Sequence, residues 1–202
     1  LARWPDLAGV GSAARPGIVH RLDQGTSGAL AVARTEAAYA SLVAQLADRT
    51  VGRLYRALVW EWPESPTGVV DAPIGRSGRD RTRMAVMSSG RPARTRYEQL
   101  QAWAGPPEVS LLECRLETGR THQIRVHLSA IGHPLVGDAA YGGDRIGRPG
   151  SGQVASLGRP FLHAAHLSFV HPAGEARVSV ESPLPADLAE LLDRLGAPED
   201  LT

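Results

Sequence analysis

Two stretches of alternating residues, Arg94 to Trp103 and Val109 to Glu117, are separated only by a turn around Gly105-Pro106-Pro107. Strands joined by so short a connection lie antiparallel. The first sets Thr95, Tyr97, Gln99 and Gln101 against Arg94, Arg96, Glu98 and Leu100, so one of its faces is wet. Further strands are expected at Ala29 to Ala33, which reads as buried, at Leu54 to Trp62, within Gly68 to Gly75, at Leu162 to Val170 and at Ala176 to Ser182. A helix is predicted from Glu36 to Asp48, with Thr35 as N-cap and Tyr39, Leu42, Val43 and Leu46 as its core face. Another runs from His122 to Ile131, capped by Thr121 and stopped by Gly132 and Pro134, with Ile124, Leu128 and Ile131 as its apolar stripe. His122, Arg125 and Ser129 lie on a different face of it, and a short amphipathic helix closes the chain from Pro185 to Leu195. Arg76 to Gly90 reads as a loop or exposed hairpin, and Asp144 to Gly158 as a surface loop. Strands in neighbouring runs with a few helices laid on them make an α+β fold with a largely antiparallel sheet.

The net charge of +1 hides an uneven distribution. Arg76, Arg79, Arg81, Arg83, Arg91, Arg94 and Arg96 follow one another against Asp80 alone, whereas the chain from Glu175 onward is acidic. A segregated basic face suits a phosphate-backbone binder, and a solvated arginine-rich loop would read the same way. No apolar run is long enough to span a bilayer, and no signal-peptide pattern opens the chain. A single cysteine, Cys114, rules out a disulfide within the chain and fits a reducing cytoplasm.

Chemistry concentrates in Pro16-Gly17-Ile18-Val19-His20-Arg21-Leu22-Asp23-Gln24-Gly25-Thr26-Ser27-Gly28. Arg21 and Asp23, walled by Ile18, Val19 and Leu22, sit where the chain turns out of an apolar core. By itself that fits an ion pair capping a turn as well as it fits a site. His163-x-x-His166 and His122-x4-His127 make no zinc pattern, and Gly75-Arg76-Ser77-Gly78 lacks the ending of a phosphate loop. Ser12, Ser27 and Ser41 stand in no nucleophile elbow, and Cys114 reads as core.

That run resembles the first signature of the RluA family of pseudouridine synthases, whose HRLD segment carries the catalytic aspartate. Arg53 to Trp60 is similar to the second motif and Leu116 to His127 to the third, with Ile131 to Asp138 and Leu162-His163-Ala164 following in order. The likeness is strongest to the D-type members, which modify large-subunit ribosomal RNA. It implies a bisected, mixed, mostly antiparallel sheet with the cleft across its middle, and an isomerase needing neither cofactor nor metal. It implies Asp23 as the essential carboxylate, nucleophile or base; Arg125 as its ion-pair partner; and Tyr55 as the residue stacked on the uracil. Arg21 would fill the space left by the everted base, Ile124 would line the uracil pocket, and His20 and Arg120 would add to substrate binding. Arg79, Arg81 and Arg83 are expected to hold the RNA backbone.

Two departures stand out: Gly25 replaces an acidic residue, expected to loosen the turn, and Arg159-Pro160-Phe161 is an unusual lead into Leu162, expected to alter packing. Residues 1–202 are read as a catalytic domain, and a monomer, without the family's first strand or the S4 RNA-binding domain that often precedes it. Transfer RNA is an alternative substrate, and a catalytically silent RNA-binding module an alternative function. Glycoside hydrolysis would want a second carboxylate opposite Asp23, which no matched motif supplies.

Overall fold

The computed structural model describes residues 4–145, 147, 149–154 and 157–200. After a 3-10 turn (Pro5–Gly9) come β1 (Gly11–Ser12), β2 (Arg15–Pro16), β3 (Ser27–Gly28), α1 (Glu36–Ala47), β4 (Gly52–Trp60), β5 (Thr67–Asp71), β6 (Ile74–Arg76) and β7 (Met84–Val86). The chain continues through β8 (Arg94–Trp103), β9 (Val109–Leu116), α2 (Gln123–Ala130), α3 (Ser151–Val154), β10 (Leu162–Val170), β11 (Arg177–Glu181) and α4 (Ala186–Leu195).

Seven of the described strands form one sheet in the order β11-β10-β4-β9-β8-β5, with β3 beside β10. Every pairing in it is antiparallel except β3 with β10, so the fold is α+β with a mixed, mostly antiparallel sheet. Strand parity divides β4. Tyr55, Ala57 and Val59 join Leu112, Cys114, Leu162 and Ala164 on one face, under Ile124 and Leu128 of α2. Leu58 and Trp60 join Val109 and Leu111 on the other, under Leu188 and Leu191 of α4. Both α4 leucines are fully buried, each contributing about 1.5–3 kcal/mol of transfer free energy. Leu42 of α1 packs on Leu7, Val10 and Ala33, with Phe169 of β10 at the edge.

Several expectations are corrected. Ala29 to Ala33 is no regular strand: pairing stops at Gly28, Val32 keeps one isolated bridge to Ile18, and Leu30 is exposed. Thr35 caps α1 as expected, accepting from the Ala38 N–H at 3.1 Å, but Val43 is exposed. β4 ends at Trp60 because Glu61 takes φ 64°, which breaks extended backbone. Gly68 to Gly75 holds parts of two strands, while for Arg76 to Gly90 the hairpin reading holds, with β6 starting two residues earlier at Ile74. α2 is not capped by Thr121; His122 takes that place at φ 57° with no capping bond, and Ile131 is exposed. Within the presumed surface loop, α3 buries Ser151 and Val154; residues 146, 148, 155 and 156 of that loop lie outside the described residues.

Candidate active site

Between β2 and β3 the chain runs without regular structure and bends at Gly17 (φ 73°) and Gly25 (φ 83°). The Thr26 N–H donates to the Asp23 carbonyl at 2.9 Å, closing a turn around Gly25. The Gly25 carbonyl accepts from Arg159 Nη1 at 2.7 Å, and a Cβ on Gly25 would come 3.2 Å from Pro160 and 3.3 Å from Arg159. Arg159 is itself held by Asp187 of α4, at 2.7 and 2.9 Å. Gly25 therefore does not loosen the turn. The two departures from the family pattern touch, and the second clamps the first.

A cavity of about 600 Å³ opens in front of this turn, within the range that takes a nucleotide-sized ligand. Its walls come from the Asp23 run, from Val43 and Leu46 of α1, from Arg53 and Tyr55 of β4, and from Gln123 and Ile124 of α2. Asp23, Tyr55, Arg21, His20, Ile124 and Arg120 all line it. Among the described lining residues Asp23 is the single carboxylate, facing Arg15, Arg21, Arg53, Arg91 and Arg120. Such a field favours an anionic ligand. No group of three or more His, Cys, Asp or Glu among the described residues could hold a metal ion.

Tyr55 is buried, and burial raises its pKa, with Arg53 opposing and Asp23 adding to the rise. Its phenol is therefore protonated at neutral pH, which suits stacking and hydrogen-bond donation better than proton removal by the resting ring. The His20 Nε2 accepts from the Ala31 N–H at 3.0 Å. Burial, then the nearby Arg53 charge, pushes its pKa down to about 4. The ring is neutral and ties the Asp23 run to its neighbour, and it offers substrate no charge. Arg120 gives its Nε to the Pro92 carbonyl at 3.0 Å, while burial and the nearby Arg91 and Arg49 charges lower its pKa. Arg21 is exposed and faces no carboxylate within 4 Å among the described residues.

Arg125 departs from expectation. It does not pair with Asp23: Nε and Nη2 donate to both carboxylate oxygens of Asp138, at 2.7 and 2.8 Å, a bidentate fork that occupies the guanidinium edge. Burial works against its charge, but these bonds and the Asp138 and Asp23 charges more than offset that and raise its pKa. Arg125 also lies over the Tyr141 ring, 4.8 Å from its centroid, and the Tyr141 hydroxyl meets His122 Nδ1 at 2.7 Å. Arg125 thus sits behind the cavity wall and acts on Asp23 only through space. Arg79, Arg81 and Arg83 are outside the cavity too, exposed in the β6–β7 turn, where Arg83 pairs with Asp80 at 3.1 Å.

Sequence reasoning missed Arg53, Asp138 and Gln123. Gln123 anchors the start of α2 to the strands: its Oε1 accepts from the Arg120 N–H at 3.0 Å and Thr118 Oγ1 at 2.7 Å, while Nε2 donates to the Arg94 carbonyl and Thr95 Oγ1. Arg53 was visible only as the first residue of the second motif, and Asp138 as the last of the fourth.

Residues 10–130 match the family model described as RNA pseudouridylate synthase. A Chloroflexus aurantiacus protein described as an uncharacterized RNA pseudouridine synthase is 52% identical over 195 residues, covering 96% of this chain and 58% of that protein. The ribosomal large subunit pseudouridine synthase D of Zymomonas mobilis is 47% identical over 191 residues, covering 94% and 59%. The chain thus spans about three-fifths of the length of these relatives. Among solved structures, human RNA pseudouridylate synthase domain containing 1 superposes with a TM-score of 0.74 at 34% identity, covering 94% of this chain and 78% of that one.

Proposed function

We propose, from the premise that this chain belongs to the RNA pseudouridylate synthase family, that it converts selected uridines of large-subunit ribosomal RNA into pseudouridine. The observation that carries this is the cavity in which Asp23, the single carboxylate among the described lining residues, faces Tyr55 and five arginines. The ribosomal substrate rests on the relatives bearing the synthase D name. We place the protein in the cytoplasm, as a monomer.

The reaction breaks the C1′–N1 bond, turns the uracil over and joins C5 to C1′. All atoms stay in the nucleotide, so the chain has to supply only a carboxylate, a closed pocket and charges in the right places. The target base must leave its stack, at a cost of a few kcal/mol. Arg21, exposed at the cavity wall, stacks in the vacated space, a job suited to a planar cation. The uracil then enters between Tyr55 and Ile124, and Asp23 either attacks C1′ or takes the C2′ proton.

Mapping pseudouridines in ribosomal and transfer RNA from cells with and without the gene tests this. Loss at positions in the large-subunit RNA is the expected result; loss confined to transfer RNA would move the substrate, and no loss in either would end the proposal.

A further inference from the structure

We propose that Arg53 is a catalytic residue of this site: its guanidinium donates to the carbonyl oxygens of the uracil and stabilises the base as it departs as an anion. The inference rests on the reading of the cavity given above.

Arg53 is an unusual arginine for a strand. It is 7% exposed, yet lines the cavity two residues before Tyr55 on the same face of β4. No carboxylate stands within 4 Å of it among the described residues, and its Nε is buried without a hydrogen-bond partner. Leaving a buried cation in that state is costly, so the fold has to gain something from it. Space is reserved for the group as well: a Cβ on Gly119 would lie 2.8 Å from Arg53 Nη1. The other buried arginine beside the site, Arg125, is committed to Asp138 and cannot follow charge into the cavity.

The chemistry supplies a partner. When the C1′–N1 bond breaks, its electron pair leaves with N1, and the negative charge spreads to O2 and O4. If Asp23 attacks C1′, its charge is consumed in a neutral ester; if it takes the C2′ proton, it becomes a neutral acid. Either way one negative charge passes from Asp23 to the uracil, and it returns when C5 bonds to C1′ and Asp23 is freed; the proton then lost from C5 ends on N1. The reaction therefore moves an anion from the Asp23 turn to the wall carrying Tyr55 and Arg53. A donor already in place where charge develops needs no reorganisation during the step. The same contact would hold the free base in the cavity while it turns.

The test uses the complete protein with Arg53→Met, which keeps bulk but loses charge, and Arg53→Lys, which keeps charge but loses the fork. Each is run in single turnover at saturating RNA, with the target nucleoside either uridine or 5-fluorouridine, following disappearance of that nucleoside. Fluorine makes the base anion more stable and therefore less dependent on Arg53. We expect Arg53→Met to slow the uridine reaction about 100-fold and the 5-fluorouridine reaction by less than about tenfold, with Arg53→Lys between. RNA affinity and circular dichroism stay near wild type. Equal loss on both RNAs would make the residue structural. A loss confined to affinity and steep with salt would make it a phosphate contact, and a loss recovered at high pH would make it a partner of the Tyr55 phenol. Each of these overturns the proposal. A wild-type protein inert on both RNAs would instead overturn the function itself.

Discussion

The arginines on the two faces of the sheet live in opposite electrostatic worlds. On the face away from the cavity Arg56 pairs with Glu113, while Arg94 and Arg96 share Glu117 at 3.2 and 2.6 Å. Inside the cavity Arg15, Arg21, Arg53, Arg91 and Arg120 share one carboxylate, Asp23. The first group is held by carboxylates of the protein; of the second, Arg120 is tied to the Pro92 carbonyl, but none has an acidic partner within 4 Å among the described residues. Clustering of arginines along the chain therefore says little about where RNA binds; what counts is which of them the fold leaves without an acidic partner.

The largest effect expected from this contrast falls on its single acid. Asp23→Asn should lower pseudouridine formation in single turnover by at least about a thousandfold while changing RNA affinity by less than about threefold; parallel loss of both would demote Asp23 to a structural role. Next comes the buried pair behind the wall, whose side chains are 9% and 1% exposed. Asp138→Ala should cost about 3–5 kcal/mol in urea denaturation, because Arg125 is left charged and unpaired. Glu113→Ala, which breaks a more exposed pair on the other face, should cost less, about 1 kcal/mol. Similar costs at both sites would erase the distinction drawn here.

Stability should also fall on acidification through His20. Its folded pKa is lowered to about 4, so between pH 6.5 and 4 the unfolded ring binds a proton that the folded ring refuses. The contribution is whole above pH 6.5 and is lost as pH falls towards 4, by at most about 3 kcal/mol. His122 and His127, both shifted downward mainly by burial, act in the same direction. His20→Gln, whose amide oxygen can still accept from Ala31, should flatten the urea-midpoint profile over that window. The smallest effect is read in salt titrations of RNA affinity. Arg91→Ala with Arg120→Ala should lessen the slope by about one to two phosphate contacts, whereas Arg94→Ala with Arg96→Ala leaves it unchanged.

The Asp23 run was legible because local chemistry writes it: glycines where the backbone must turn and apolar residues flanking two charges. The long strands and α4 were legible from period alone. Arg53 was not, since strand parity says which face a residue takes but not that Gly119 and the Asp23 run will cover it. Nor was the Arg125–Asp138 pair, because the fork is satisfied across a turn whose shape no spacing rule describes. Thr121 looked like a cap, yet α2 starts after His122 with no capping bond, and its first residue, Gln123, is anchored to β8, a neighbour known only once the sheet exists. Nor could the run of arginines be sorted from sequence: Arg94 and Arg96 meet Glu117, Arg91 reaches the cavity, and Arg79, Arg81 and Arg83 stay exposed in the β6–β7 turn.

Through Arg159, one side chain serves two masters at once, the Gly25 carbonyl in the Asp23 turn and a carboxylate near the start of α4. Helix α4 is in this way mechanically wired to the Asp23 turn. Neutralising Asp187 would slacken that turn without touching any residue that lines the cavity.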